Sequence, residues 1–308
     1  MNVTIIGANG FIGKHLSELL SQNEDLNLTL FSRKFSDDFP KLNSAKCRFI
    51  QGDYKKNLEM SPILKGQDLV YHLVSVSFPA SSWNNPVLDI EENLIPSLNF
   101  FQACTEAKVK KVVFISSGGT VYGKQDFLLD ESNLLKPFSP YGIIKSTIEY
   151  FLEYFKIKSN LQYDIYRVSN AYGPKQNKIG FGVINTWLRA AALGEKINIM
   201  GDGTAEKDYI YIEDVAKMVA LSTYSDIYKS GVYNVCSGET TSLNKILEII
   251  KLNCGDGIEI NTLDAPPSDN KTVRLDNTKI LRSINLERST PIEEGIEKTW
   301  KYIQSIHQ

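Results

Sequence analysis

Apolar residues come in short runs along the first half of the chain, and segments at helical spacing separate them. Val3 to Ile6 is the first run, and after a glycine-rich turn the stretch HLSELLSQ (15–22) puts its leucines on one helical face. Leu26 to Phe31, Arg48 to Gln51, Leu69 to Leu73, Val112 to Ser116 and Tyr163 to Val168 predict further strands. Val87 to Ala107 reads as a long helix with a kink at Pro96. Ser139 to Lys158 reads as another, with Ser139 as its cap and Pro140 in its first turn. Strands separated by helices predict an α/β fold with a parallel, doubly wound sheet.

The rhythm changes near residue 170. Turns such as Gly180-Phe181-Gly182 and Gly201-Asp202-Gly203 interrupt shorter elements. The pattern predicts a first domain over 1–168 and a smaller α/β C-terminal domain over 169–308. A helix at Val215 to Thr223, within a segment 208–235, is expected to return to the first domain.

Composition narrows the function. The 308 residues are 42% hydrophobic and 23% charged, enough for a large core. The net charge of -2 gives no general pull toward nucleic acid or anionic lipid. Lys108, Lys110 and Lys111 read as a solvated helix end. No run approaches the roughly 20 apolar residues of a membrane helix. Cys47, Cys104, Cys236 and Cys254 are scattered and have no histidine neighbours, which predicts free thiols rather than zinc ligands. The opening MNVTIIG has no basic leader, so a soluble cytoplasmic protein is expected.

Gly7-Ala8-Asn9-Gly10-Phe11-Ile12-Gly13 is a GxxGxxG motif between a strand and a helix. Glycines there let the backbone turn tightly beside a diphosphate, and the helix amino end offers free N–H groups. A dinucleotide is the expected ligand. Asp53, after the third strand, could accept a hydrogen bond from the adenine amino group. The acid that would hold an adenosine ribose is expected about 20 residues past the glycines. That position falls in Phe31-Ser32-Arg33-Lys34, and the next carboxylates are Asp37 and Asp38. An arginine fork with a serine hydroxyl suits a 2′-phosphate, which favours NADPH over NAD. The alternative is a solvated basic pair on a loop.

Tyr141 and Lys145 lie four residues apart, on one face of the predicted helix. An ammonium beside a phenol is expected to lower the phenol's pKa and make a proton exchanger near neutral pH. Upstream, Ser116-Ser117-Gly118-Gly119-Thr120 ends the fifth strand. Strand alternation would put Ser116, Gly118 and Thr120 on one face.

With these residues the chain resembles the extended short-chain dehydrogenase/reductase family, in particular its nucleotide-sugar epimerases, dehydratases and reductases. Further matching stretches are NNPVLDIEENLIPSLN (84–99), YRVSNAYGP (166–174), GDGTAEKDYIYIEDVA (201–216) and LDNTK (275–279). The resemblance implies a Rossmann domain followed by a nucleotide-sugar-binding domain. It implies that Tyr141 is the acid/base, that Lys145 holds the nicotinamide ribose, and that a hydroxyl of 116–120 bonds the sugar oxygen. It further implies that Asn170 touches the substrate phosphates and that Asn93 supports the site. Cofactor contacts are expected from Gly7, Gly10, Phe11, Ile12, Gly13, Ser32, Arg33, Asp53, Tyr54 and Leu73.

The departures bear on the reaction. Gly118 stands where the family has serine or threonine, so Thr120, on the same face, is the expected substrate hydroxyl, with Ser117 in reserve. Gly119 and Thr120 stand where its dehydratases carry an Asp-Glu pair, which argues against dehydration. Lys207 replaces a diphosphate-clamping arginine, and Pro266 precedes Pro267-Ser268-Asp269 where a second arginine is usual. Arg274 or Arg189 could compensate. The expected activity is reduction of the C4 ketone of an NDP-4-keto-6-deoxyhexose, such as dTDP-4-dehydro-6-deoxyglucose to dTDP-fucose, for O-antigen or another surface polysaccharide. A UDP-sugar 4-epimerase using NAD is the second expectation, and a non-catalytic dinucleotide sensor the third. A homodimer through the helices at 87–107 and 139–158 is expected, without a nucleic-acid or membrane partner.

Overall fold

The computed structural model describes residues 1–42, 45–55, 60–176, 180–264 and 272–307. Strands β1 (Asn2–Ile6), β2 (Asn27–Ser32), β3 (Cys47–Gln51), β4 (Leu69–His72), β5 (Lys111–Ser117), β6 (Gln162–Val168) and β7 (Gly231–Val235) form one sheet. Its order is β7-β6-β5-β4-β1-β2-β3, and every pairing is parallel. The chain grows outward from β1 to β3, then returns to β4 on the other side. The carboxyl ends of β1 and β4 therefore flank the point where the order reverses, the usual ligand crevice of such sheets.

The inner strands are apolar on both faces because both faces are covered. Ile5, Leu30, Tyr71 and Val113 enter one core cluster, while their neighbours Ile6, Phe31, Val70 and Phe114 enter the other. The six strands expected from the apolar runs are present. β7 was not expected as a strand. It is an edge strand whose first three residues are only half-buried, so it carries no apolar run.

Two expectations need correction. The long helix at 87–107 is three pieces: helix Pro86–Asp89, a π-helical turn Ile90–Leu94, and helix Ile95–Glu106. Pro96 has no N–H to donate to the preceding turn, which allows the wider turn before it. Lys111 is not part of a solvated helix end. It opens β5 at 1% exposure, and its ammonium lies 3.0 Å from the Asp164 carboxylate. Helix Pro140–Ser159 is capped as expected, with the Gly142 N–H donating to Ser139 Oγ at 3.2 Å.

Beyond β6 the strands are short. Glu206–Tyr211 pairs with Asn170–Tyr172 and Thr240–Ser242, Ile197–Met200 with Ile260–Leu263, and Leu128–Leu129 with Arg274–Leu275. Helix Ile212–Val219 returns to pack on helix Phe11–Leu20. No helix among the described residues is long and apolar enough to cross a membrane.

Candidate active site

A cleft of about 520 Å³ opens at the carboxyl ends of β1, β2 and β4. Gly7 and Gly10 form its floor. Gly7 has φ +89°, a left-handed backbone that glycine adopts without strain. The Gly10 N–H closes the turn on the Gly7 carbonyl at 2.9 Å. A Cβ on Gly13 would sit 2.3 Å from that carbonyl, so the helix can approach the loop only with glycine there. Phe11 and Ile12 begin this helix and pack into the core behind the loop. Asp53, Tyr54 and Leu73 line the walls, as does Lys55, which pairs with Glu92. A tight glycine turn, a helix amino end and an open cleft beside them fit a dinucleotide.

Ser32, Arg33 and Lys34 line one end of the cleft. Asp38 does not replace the missing acid: its carboxylate lies 2.6 Å from the ammonium of Lys14, which is itself buried. Ser36 donates from its N–H and its hydroxyl to Asn9 Oδ1, at 3.3 and 2.8 Å. The segment after β2 is thus tied twice to the glycine loop and its helix.

At the other end, Lys145 Nζ lies 5.5 Å from the centre of the Tyr141 ring and 4.8 Å from that of Phe114. It donates to the Ile115 carbonyl at 2.9 Å. Burial pushes this lysine down from 10.5 to about 8, against the pull of Asp89 and Glu149. The expected depression of Tyr141 is absent. Burial pushes its phenol up to about 12, partly offset by a hydrogen bond with the Ser75 side chain, while Asp89 adds to the rise. Desolvation therefore sets the direction of the shift.

The hydroxyl segment also differs from the strand expectation. β5 ends at Ser117, and Gly118–Val121 is a helical turn, so strand alternation does not extend to Thr120. Ser116 Oγ instead donates to Glu149. A Cβ on Gly118 would meet Leu275 Cδ1 at 2.5 Å and the Arg167 carbonyl at 2.9 Å, which explains the glycine. Thr120 Oγ1 is buried and has no partner among the described residues, which leaves its hydroxyl uncommitted within the fold. Gly142, next to Tyr141, packs against the Thr120 carbonyl, where a Cβ would come within 2.8 Å. This contact sets the Thr120 turn beside the tyrosine helix.

Asn170 is exposed, and its amide donates to the Asp208 carbonyl at 2.9 Å. Lys207 is its near neighbour across the strands, since Tyr209 is in register with Asn170. Arg274 lies beside them, 3.8 Å from Glu206, whereas Arg189 donates to the Gln176 carbonyl. Pro266, Pro267, Ser268 and Asp269 lie outside the described residues.

Sequence reasoning missed Ser75, Ser77 and Asp89. Asn93, on the π-helical turn, accepts from the Val76 N–H at 2.8 Å and donates to Ser77 Oγ at 3.0 Å and Asp89 Oδ1 at 2.7 Å. Ser75 and Ser77 stand in no motif; Asp89 lies with Asn93 in the 84–99 stretch, but only the fold brings Ser77 to them.

Residues 3–236 match the model of the NAD dependent epimerase/dehydratase family, and the chain belongs to that family. It is 28% identical to a putative UDP-glucose 4-epimerase of Methanocaldococcus jannaschii, over 98% of both chains. It is 29% identical to a dTDP-4-dehydro-6-deoxyglucose reductase of Escherichia coli, over 98% of this chain and 97% of that one. Its fold superimposes on the UDP-glucose 4-epimerase of Thermus thermophilus in complex with NAD with a TM-score of 0.89, at 26% identity and 99% coverage of each chain.

Proposed function

We propose that this protein reduces the C4 ketone of a nucleotide-linked 4-keto-6-deoxyhexose, with dTDP-4-dehydro-6-deoxyglucose as the substrate and NADPH as the favoured reductant. The carrying observation is the basic end of the cofactor cleft, where Arg33 and Lys34 stand and Asp38 is held by Lys14. A 2′-phosphate gains charge-assisted hydrogen bonds there, and a bare ribose finds no carboxylate. NADPH bound in the cleft would supply the hydride. Tyr141, raised to about 12, holds its proton at neutral pH, as a group that must protonate a ketone oxygen should. Thr120 polarises that oxygen, and Lys145 fixes the cofactor ribose. Asn170, Lys207 and Arg274 receive the diphosphate. The relative from Escherichia coli supports this choice. The product, dTDP-fucose, would serve an O-antigen or another surface polysaccharide.

The 4-epimerases among the relatives support a second reading, a UDP-sugar 4-epimerase holding NAD. That reaction begins by removing a proton from a sugar hydroxyl, with Tyr141 as the base. The chain is further proposed to form a homodimer. On helix Pro140–Ser159, Ile144, Ile148, Leu152 and Phe155 are buried in the core, but Ile143, Tyr150, Tyr154 and Ile157 are exposed and could meet a second copy.

The test is nicotinamide absorbance with NADPH or NADH and dTDP-4-dehydro-6-deoxyglucose. Oxidation in step with added sugar, faster with NADPH, is expected. No oxidation, with UDP-glucose and UDP-galactose interconverting in the same preparation, would replace the reductase by the epimerase.

A further inference from the structure

Asp89 closes helix Pro86–Asp89, immediately before the π-helical turn, and is 2% exposed. One carboxylate oxygen accepts from Ser77 Oγ and from Asn93 Nδ2. The other is equally buried and has no partner among the described residues. Among those residues no ion pair neutralises it. A carboxylate in that state is unfavourable unless its charge acts on something nearby. Two groups feel it: the Lys145 ammonium, which it favours, and the Tyr141 phenol, whose ionisation it opposes. Glu149, on the helix of Tyr141 and Lys145, is the other acid that acts on Lys145, and it is held by Arg167 at 2.8 Å. His72, packed near Lys145, is kept neutral by burial, which pushes it down to about 3.

Asp89 also shapes the loop above the pair. Ser77 and, through Asn93, Val76 are fixed by its hydrogen bonds, and Ser75 in the same loop bonds the Tyr141 side chain. Ser75 and Val76 line the cofactor cleft as well.

We infer that Asp89 is a positioning residue for the Tyr141–Lys145 pair: it anchors the 75–77 loop against Tyr141 and presents one buried negative charge to both side chains. This rests on Tyr141 and Lys145 being the reacting pair, but not on which sugar they act upon.

Asp89→Asn separates the two roles. The amide keeps an acceptor for Ser77 and Asn93 and removes only the charge. Asp89→Ala removes the anchor as well. The readout is the titration of Lys145 in the free protein, followed by the carbon NMR signal of its side-chain methylene in lysine-labelled samples and assigned with Lys145→Met. Asp89→Asn should move the Lys145 midpoint down by about half a pH unit or more. It should leave NADPH affinity within about two-fold, whereas Asp89→Ala should weaken that affinity about ten-fold through the loop. A Lys145 midpoint unchanged or raised in Asp89→Asn would overturn the charge role. Equal NADPH affinity in Asp89→Asn and Asp89→Ala would overturn the anchor. Neither readout needs turnover. Failure of the reactive-pair reading would show separately, as Tyr141→Phe retaining activity.

Discussion

Two buried lysine–aspartate pairs stand at opposite ends of the sheet, one within its strands and one on helices packed against it. Lys111 and Asp164, toward the amino ends of the strands, meet at 3.0 Å. Ser222 Oγ donates to the same carboxylate at 2.7 Å, and the Asp226 carbonyl accepts from the lysine at 2.9 Å. Lys145 and Asp89, at the carboxyl ends, are as deeply buried but make no ion-pair contact. The lysine has taken a backbone carbonyl, and the aspartate keeps one oxygen unpartnered among the described residues. Both pairs carry the penalty of burying charge, but only the first offsets it by direct contact. The open pair lies at the carboxyl end of β5, where Lys145 meets the Ile115 carbonyl. Of the two pairs, the one with an unpartnered carboxylate oxygen lies at the end of the sheet that carries the candidate site, and the one in direct contact lies at the other.

Single substitutions should separate the two ends. Tyr141→Phe should lower kcat by about 10³-fold, within the usual range for a general acid, and leave urea stability within about 1 kcal/mol. Steady-state rates and an unfolding curve on one preparation check both. Lys111→Met should do the reverse. Leaving Asp164 buried and unpaired should lower stability by about 3–5 kcal/mol, with the kcat of the folded fraction intact. If Lys111→Met slowed the chemistry at unchanged stability, the distinction between the ends would collapse. Arg33→Ala combined with Lys34→Ala should raise KM for NADPH about ten-fold and leave KM for NADH nearly unchanged, the size expected for loss of charge-assisted phosphate contacts. Equal effects on both cofactors would make these side chains a solvated pair.

The fold end was easier to read in the sequence than the site end. Apolar runs gave six strands because a sheet covered on both faces needs them. The half-buried edge strand β7 has no such run and escaped. The glycine loop, Tyr141 and Lys145 were legible because their chemistry depends on local spacing. Lys111 was misread: its neighbours Lys108 and Lys110 suggested solvent, and only the distant Asp164 explains its burial. Thr120 was reached from a strand alternation that stops at Ser117, so its selection stands on the unpartnered hydroxyl instead. The Asp89–Ser77 and Lys14–Asp38 ties join residues with no shared motif. The direction of the Tyr141 shift was also out of reach, since desolvation is a property of the folded cleft.

The smallest effect tests the open pair most directly. Lys145 releases its proton at about 8 in the native cleft and at an ordinary 10.5 when unfolded. Below about pH 8 both states hold the proton, so stability has no slope from this group and the native state bears the full burial penalty. Between about 8 and 10.5 the unfolded chain binds a proton that the native protein has released, so stability rises with pH. Measured as wild type minus Lys145→Met, so that other titrations cancel, the difference should climb by up to about 1.4 kcal/mol per pH unit in that window. Asp89→Asn should open the window at lower pH, because the charge that favours the ammonium is gone. A difference curve flat across the window would mean that Lys145 keeps its proton in the native cleft, and that the site end of the sheet is as well compensated as the other.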